Sequence, residues 1–254
     1  KLPLKLDLTV FETYKLHNGY RLDQFAIQAD TATENDIIKL KGGNNVLFSA
    51  LRKAGLFKRK SYFKEKRSSY FDARVFKNNF VYLDGYWQNE LYFSNIREVL
   101  LRELSPINSM NDLGCDYLEP INKSNSVSLH VRRGDYLNLK NINVLDVDYY
   151  MKAVEYIRKN VEKPTFFIFS DDLDWCKKRL GFLDGCIYVD RTQTEIDDLK
   201  LMSFCRHNII ANSSFSWWGA WLNQNPEKTV IAPKDWILND PGSSNVILSD
   251  WVKF

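Results

Sequence analysis

From residue 127 to the C-terminus, short apolar runs alternate with amphipathic stretches. This alternation constrains the fold more than any other feature of the chain. The apolar runs fall at 127–131, 165–170, 186–189, 208–211 and 229–232, and residues 148–160, 173–180, 195–205 and 215–223 between them read as helices. Tyr149, Ala153, Tyr156 and Ile157 share one face of the first helix, with Asp148 as its candidate cap. Pro164 restarts the chain into the second strand. Strands separated by helices do not close hairpins; they form βαβ units and a parallel sheet. The expected fold class is α/β.

The first half reads less regularly. Leu2, Leu4, Leu6, Leu8 and Val10 alternate, which predicts a strand over 1–11. A short strand is expected at 20–27, a helix start near Thr33, and a strand at 80–86. A helix is expected over 90–104, with Val99, Leu100 and Leu104 on its apolar face and Pro106 as its stop. Residues 108–125 are rich in Asn, Ser and Pro and read as a linker. Two halves are expected, 1–110 and 111–254.

Several classes are disfavoured. With 44% hydrophobic residues the chain can build a core without staples, and a net charge of +3 is too balanced for nucleic acid as main partner. Cys115, Cys176, Cys186 and Cys205 are scattered without a C-x-x-C pair, which suits reduced thiols in the cytoplasm. The three histidines, His17, His130 and His207, form no H-E-x-x-H, so no metal site is expected. Neither a P-loop nor a G-x-G-x-x-G is present, and Asp146-Val147-Asp148 reads as loop and cap rather than a metal-binding acid pair. No apolar run reaches the length of a membrane span. The chain does not begin with Met, and it is expected to start inside a domain.

The stretch VSLHVRRGDY, 127–136, carries the chemistry. Val127, Leu129 and Val131 make a buried strand that runs directly into Arg132 and Arg133. Two guanidiniums at a buried strand end are costly unless an anion meets them. Ligands of open α/β sheets bind beyond the carboxyl ends of strands, and a diphosphate matches the arginine fork. The alternative is a structural pair bridged to nearby carboxylates. The tripeptide Arg133-Gly134-Asp135 as an adhesion motif would need an exposed loop, which a strand end is not.

Two further clusters sit at strand ends. Ser170-Asp171-Asp172 follows TFFIF, and Asn212-Ser213-Ser214-Phe215-Ser216-Trp217-Trp218 follows NIIA. Parallel strands would bring all three clusters to one rim. The serines stand where a helix begins, which favours phosphate, although plain capping explains them as well. One of Asp171 and Asp172 is expected to cap the helix at Leu173. The other would be free for the donors of a base such as guanine, or for ribose hydroxyls. Tryptophans such as Trp217 and Trp218 are more often core than ligand platforms. Residues 52–74 interleave Arg52, Lys53, Lys58, Arg59, Lys60, Lys64, Lys66, Arg67 and Arg74 with five aromatic residues. That pattern reads either as a solvated surface or as an acceptor-facing or membrane-facing patch.

HVRRGDY at 130–136, FSDD at 169–172 and NSSFSWWGAWLN at 212–223 resemble, in order and spacing, the motifs of the alpha-1,2-fucosyltransferase family. LKLDLTVF at 4–11 and YLDGYWQNELYF at 82–93 extend the likeness over nearly the whole chain. The resemblance implies a GT-B architecture, two Rossmann-like halves with parallel sheets facing a cleft. Residues 1–110 would form the acceptor side and 111–254 the GDP-fucose side. It also implies inverting transfer of L-fucose to a galactoside hydroxyl on a surface glycan of the O-antigen kind. No metal or other cofactor is implied.

By the same likeness, Arg132 corresponds to the arginine on the β-phosphate, and Arg133 supports that site. His130 and Asp172 resemble the guanosine-end residues, with Asp171 beside them. Ser213, Ser214 and Ser216 resemble the loop that receives the diphosphate, which Asn212, Phe215 and Trp217 complete. Asp135 resembles either a base on the acceptor hydroxyl or a residue that orients the arginines. The family's Gly-Gly-Leu-Gly-Asn-Gln loop is absent, and Gly42-Gly43-Asn44-Asn45 is in the wrong place for it. The expectation is that the first strand and its loop lie outside this chain. A cytoplasmic enzyme, peripheral at the inner membrane face through residues 52–74, follows as the expected location. The rival readings are a fucosyltransferase of another linkage and a non-catalytic nucleotide-sugar or glycan-binding module.

Overall fold

The computed structural model describes residues 3–14, 19–42, 50, 61–77, 79–107, 112–140, 142–192 and 194–254. They belong to two units, Lys1–Ile107 and Asn108–Phe254.

In the first unit, β1 (Lys5–Leu6) pairs in parallel with β2 (Asp30–Thr31). Among the described residues the strand expected over 1–11 is otherwise absent, because Thr9–Glu12 form a 3-10 turn. The Asp7 carboxylate accepts the Thr9 N–H at 3.0 Å and its hydroxyl at 2.6 Å, a local bond that competes with strand pairing. The strand expected at 20–27 is likewise a 3-10 turn, Leu22–Gln24, followed by one bridge from Phe25 to Pro106. Helix α1 (Glu34–Lys41) starts where expected, closed by a capping box between Thr33 and Asp36.

Next, β3 (Tyr62–Lys64) pairs in parallel with β4 (Tyr82–Asp84), the middle of the strand expected at 80–86. The helix expected over 90–104 is broken into two 3-10 turns, Glu90–Tyr92 and Ser94–Ile96, and only then α2 (Arg97–Glu103). Asn89 fixes the break, since its side chain accepts the Leu91 N–H at 3.1 Å and donates to Ser69 O at 3.0 Å. Of the basic segment 52–74, residues 52–60 lie outside the described residues.

The second unit begins with a helix. Where a linker was expected at 108–125, α3 (Asp112–Lys123) forms despite Pro120. Tyr117 and Ile121, one helical turn apart, are both buried, so tertiary packing overrides the loop-like composition.

Then come β5 (Asn125–Val131), α4 (Val147–Asn160), β6 (Pro164–Ser170), α5 (Leu173–Arg179), β7 (Ile187–Tyr188), α6 (Glu195–Phe204), β8 (His207–Ile209), α7 (Ser214–Leu222), β9 (Val230–Ala232) and β10 (Val252–Lys253). All pairings in this sheet are parallel, in the order β10-β9-β8-β5-β6-β7. The alternation read from the sequence therefore gives the expected α/β parallel sheet; the short edge strand β10 was not anticipated.

The chain runs from β5 to one edge, returns past β5, and builds outward again from β8. That order places a reversal between β5 and β8. The core is two-sided, as parallel sheets require. Val127, Leu129 and Val131 are fully buried, as are Ile209 and Ile231, and α4 covers them with Tyr150, Ala153 and Ile157. A polar link is also sealed in: Asn208 Nδ2 donates to Ser128 Oγ at 2.7 Å and to Met202 O at 2.8 Å, while Asn223 Nδ2 donates to Asn208 Oδ1 at 2.7 Å. The cap of α4 is Asp146, which accepts the Tyr149 N–H at 3.3 Å, not Asp148. Among the described residues no helix is long and apolar enough to cross a membrane.

Candidate functional site

The carboxyl ends of β5, β6 and β8 each release a polar segment at one rim of the six-stranded sheet. In an open α/β sheet the crevice at the reversal point is where ligands sit. Here the reversal lies between Arg132 at the end of β5 and Asn212 beyond β8.

The two arginines are held by three carboxylates. Arg132 Nη2 lies 2.7 Å from Asp135 Oδ1, and its Nη1 lies 3.1 Å from Asp171 Oδ2. Arg133 Nε donates to Asp172 Oδ2 at 3.2 Å, and its guanidinium stacks 4.3 Å over the Trp175 ring. Asp171, the aspartate expected to be free, is instead paired with Arg132. It also accepts the Arg133 backbone N–H at 2.9 Å. Asp172 is the cap, accepting the Trp175 N–H at 3.0 Å, while its own N–H donates to Ser170 Oγ.

Gly134 makes this close approach feasible. A Cβ there would stand 2.7 Å from Asp171 Oδ2. Two guanidinium charges against three carboxylates leave the cluster with one excess negative charge. Of the three carboxylates Asp135 is the most exposed, at 40% against 24% for Asp171 and 31% for Asp172.

His130, one residue inside the strand end, is buried and its Nδ1 has no partner. Burial, with the Arg132 charge adding to it, holds its pKa down at about 3, so the imidazole is neutral at working pH. Its ring lies 5.7 Å from the Phe215 ring in α7. Helix α7 starts at Ser213, whose side chain makes no capping bond, and the first-turn N–H groups of a helix have no intrahelical acceptors. Ser214 is exposed, Phe215 half-buried and Ser216 buried, with its hydroxyl donating back to Ser213 O at 3.3 Å.

Asn212 faces inward and braces the loop: its Nδ2 donates to Asn143 O at 3.0 Å and to Trp236 O at 3.2 Å. Trp217 turns into the core, donating through Nε1 to Val246 O at 2.7 Å and packing on Trp221 and Trp251. The structure thus gathers Arg132, Arg133, Asp135, Asp171 and Asp172 into one network. It sets His130 beside Phe215 and takes Trp217 away from the rim.

Two residues not singled out in the sequence belong to the network. Tyr136 donates from its hydroxyl to Asn212 O at 3.1 Å, tying the β5 end to the β8 end, and Arg132 lies 5.5 Å over its ring. Trp175 supports Arg133. Both sit within four residues of the polar clusters, and the aromatic neighbour of an arginine is the signal that could have found them. Beside the Asn143–Asn212 contact, a cavity of about 260 Å³ is lined by residues including Asn143, Tyr149, Pro233 and Lys234. Among the described residues, no group of three or more His, Cys, Asp or Glu side chains converges as metal ligands would.

The family model described as Glycosyl transferase family 11 matches residues 55–254. The chain belongs to glycosyl transferase family 11. This family 11 enzyme is similar to an alpha-1,2-colitosyltransferase of Escherichia coli, at 34% identity over 92% of this chain and 82% of the relative. It is also similar to the O-antigen biosynthesis glycosyltransferase WbnK of Escherichia coli, at 31% identity over 78% of this chain and 69% of the relative. With galactoside alpha-(1,2)-fucosyltransferase 2 of Sus scrofa it shares 26% identity over 59% of this chain and 47% of that protein. Among solved structures, a family 9 glycosyl transferase from Veillonella parvula aligns over 89% of this chain and 69% of that chain at 10% identity, with a TM-score of 0.40. The family membership meets the expectation drawn from HVRRGDY and SSFSWWGAW: the family 11 chain is a glycosyltransferase.

Proposed function

We propose that this chain transfers L-fucose from GDP-fucose to a galactoside hydroxyl in α-1,2 linkage, with inversion, on a surface glycan of the O-antigen kind. One observation carries the reading. In a family 11 chain, an arginine pair and an uncapped helix N-terminus meet at the reversal point of a parallel sheet. Both are partners for phosphate. In this reading Arg132 leaves Asp135 and takes the β-phosphate, while Arg133 stays anchored on Asp172 and Trp175. The first-turn N–H groups of α7, at Ser214, Phe215 and Ser216, receive the remaining phosphate oxygens.

The acceptor hydroxyl attacks the anomeric carbon from the face opposite the diphosphate. The bond from that carbon to the diphosphate oxygen breaks, and charge grows on the β-phosphate. A preformed cation beside that charge lowers the barrier. Asp135, released from Arg132, takes the hydroxyl proton. His130, neutral and with an orphaned Nδ1, offers a hydrogen bond at the nucleoside end without adding charge. The two units divide the work as in a GT-B enzyme, residues 1–110 holding the acceptor and 111–254 the donor. The basic residues of 52–74 give it a peripheral contact with the inner membrane face, on the cytoplasmic side where sugar nucleotides are available.

The test is GDP release from GDP-fucose across a panel of galactose-terminated acceptors. Acceptor-dependent release supports the reading. GDP binding without any transfer supports a binding module instead.

A second donor has its own support, because the relative aligned over 92% of this chain is named a colitosyltransferase. Colitose is L-fucose without its 3-hydroxyl. A site that hydrogen-bonds a substrate hydroxyl rejects the analogue lacking it by roughly 10⁴-fold or more. Running GDP-fucose against GDP-colitose therefore separates the two donors cleanly.

A further inference from the structure

We propose that the first unit carries a carbohydrate site built around Trp87, and that its ligand is the galactopyranoside acceptor. The inference deepens the glycosyltransferase reading and rests on it for the name of the sugar.

A cavity of about 410 Å³ lies within the first unit. Its walls are aromatic: Phe63 and Trp87 with ring centres 6.1 Å apart, Trp87 and Tyr92 edge to face at 5.3 Å, and Phe71 and Tyr92 at 5.0 Å. That volume falls in the range of small-molecule sites. Trp87 is held at φ +53, a conformation that is a genuine outlier for a bulky side chain. Two residues impose it. Gly85 has no Cβ, and one added there would lie 2.3 Å from Glu65 Cβ. Glu65 therefore passes close, and its carboxylate accepts the Tyr86 N–H at 2.7 Å and the Trp87 N–H at 3.1 Å. Backbone strain that neighbouring groups enforce is a mark of functional sites.

The lining selects the ligand. Lys66, Arg67 and Arg74 stand at the cavity against Glu65 and Asp72, so a cation is disfavoured. Arg74 is already bound to Asp72 through both carboxylate oxygens, and Arg67 lies 5.1 Å over the Tyr70 ring. These engaged cations and the aromatic walls suit a strongly hydrated anion poorly. What remains is a neutral polyol with an apolar face. A galactopyranoside is such a molecule, because its axial 4-hydroxyl leaves the hydrogens of C3, C4 and C5 together on one side. Those hydrogens would pack on the Trp87 and Phe63 rings, with the hydroxyls toward Asp72 and Arg74.

The experiment uses methyl β-D-galactopyranoside as probe with the whole chain. Saturation-transfer NMR reads contact with aromatic protons, and a parallel titration follows GDP. Trp87→Asn removes the ring while tolerating the positive φ, and Phe63→Ala removes the second wall away from the strained residue. The expected result is saturation of H3, H4 and H5, with affinity and acceptor KM worsened at least about tenfold in each variant and GDP affinity unchanged. The proposal is overturned if the chain binds GDP but the galactoside shows no contact, or if both variants handle the acceptor like the parent. It is also overturned if anionic-lipid vesicles bind and the galactoside does not. Galactoside contact without any GDP binding would leave this site standing and refute the donor reading.

Discussion

Asp135→Asn separates binding from catalysis at the arginine pair. In the resting site Asp135 sits 2.7 Å from one Arg132 nitrogen and 3.0 Å from Nε, where an incoming phosphate oxygen would go. A phosphate oxygen that takes those two nitrogens displaces the aspartate. A unit charge pair at about 4 Å is worth about 1 kcal/mol in water and about 4 at an effective dielectric of 20. With 40% of its side chain exposed, Asp135 belongs near the lower figure. Neutralising it also removes the one excess negative charge of the cluster. GDP should therefore bind about 3- to 10-fold more tightly to the variant, by roughly 1 kcal/mol, in isothermal titration. Transfer should move the other way, falling by about 10²-fold or more if the carboxylate takes the hydroxyl proton. Weaker GDP binding in Asp135→Asn would refute the argument, for Asp135 would then be orienting Arg132 toward the phosphate instead of covering it.

Three further outcomes follow from the same structure. Gly134→Ala puts a Cβ 2.7 Å from Asp171 Oδ2, a carboxylate fixed by the Arg133 N–H and by Arg132; urea unfolding should show a loss of about 1–2 kcal/mol, with weakened GDP binding. Burial raises Asp198 to about 6, so the folded state holds its proton more tightly than the unfolded chain does, and stability falls as pH rises from about 4 through 6. Asp198→Asn keeps the acceptor for the Thr192 hydroxyl, should flatten that slope and should be about 1–2 kcal/mol more stable at pH 7, with no difference below pH 4. Asn208→Ala takes the donor from Ser128 Oγ and Met202 O and one acceptor from Asn223, and a loss of about 2–3 kcal/mol in chemical denaturation is expected.

The second unit was legible because its strands are buried on both faces and separated by helices, so each apolar run is bounded by a change of period. Residues 127–131 and 165–170 are clear for that reason. The strands of the first unit have two or three residues, too short for a period to register. Leu4 and Val10, which looked like one face of a strand, are mostly exposed. The linker reading at 108–125 failed because Tyr117 and Ile121 contribute a narrow buried stripe within a polar segment.

At the rim, the residue types were readable but their pairing was not. Asp171 meets the Arg133 N–H from 38 positions away, and only the sheet register creates that contact. The residue type of Trp217 favoured the core, and only the family likeness put it at the donor loop. The Nε1 bond to Val246 O, which turns it inward, depends on the C-terminal segment folding back.

GDP binding by the parent chain and by Arg132→Ala, read by isothermal titration beside a thermal melt of each, decides whether Arg132 holds the diphosphate. The account predicts saturable binding to the parent and a loss of at least about tenfold in the variant, with melting little changed, since Arg132 is a rim residue whose removal leaves the sheet intact. GDP binding that is equal in both proteins would contradict it, as would a parent chain that does not bind GDP.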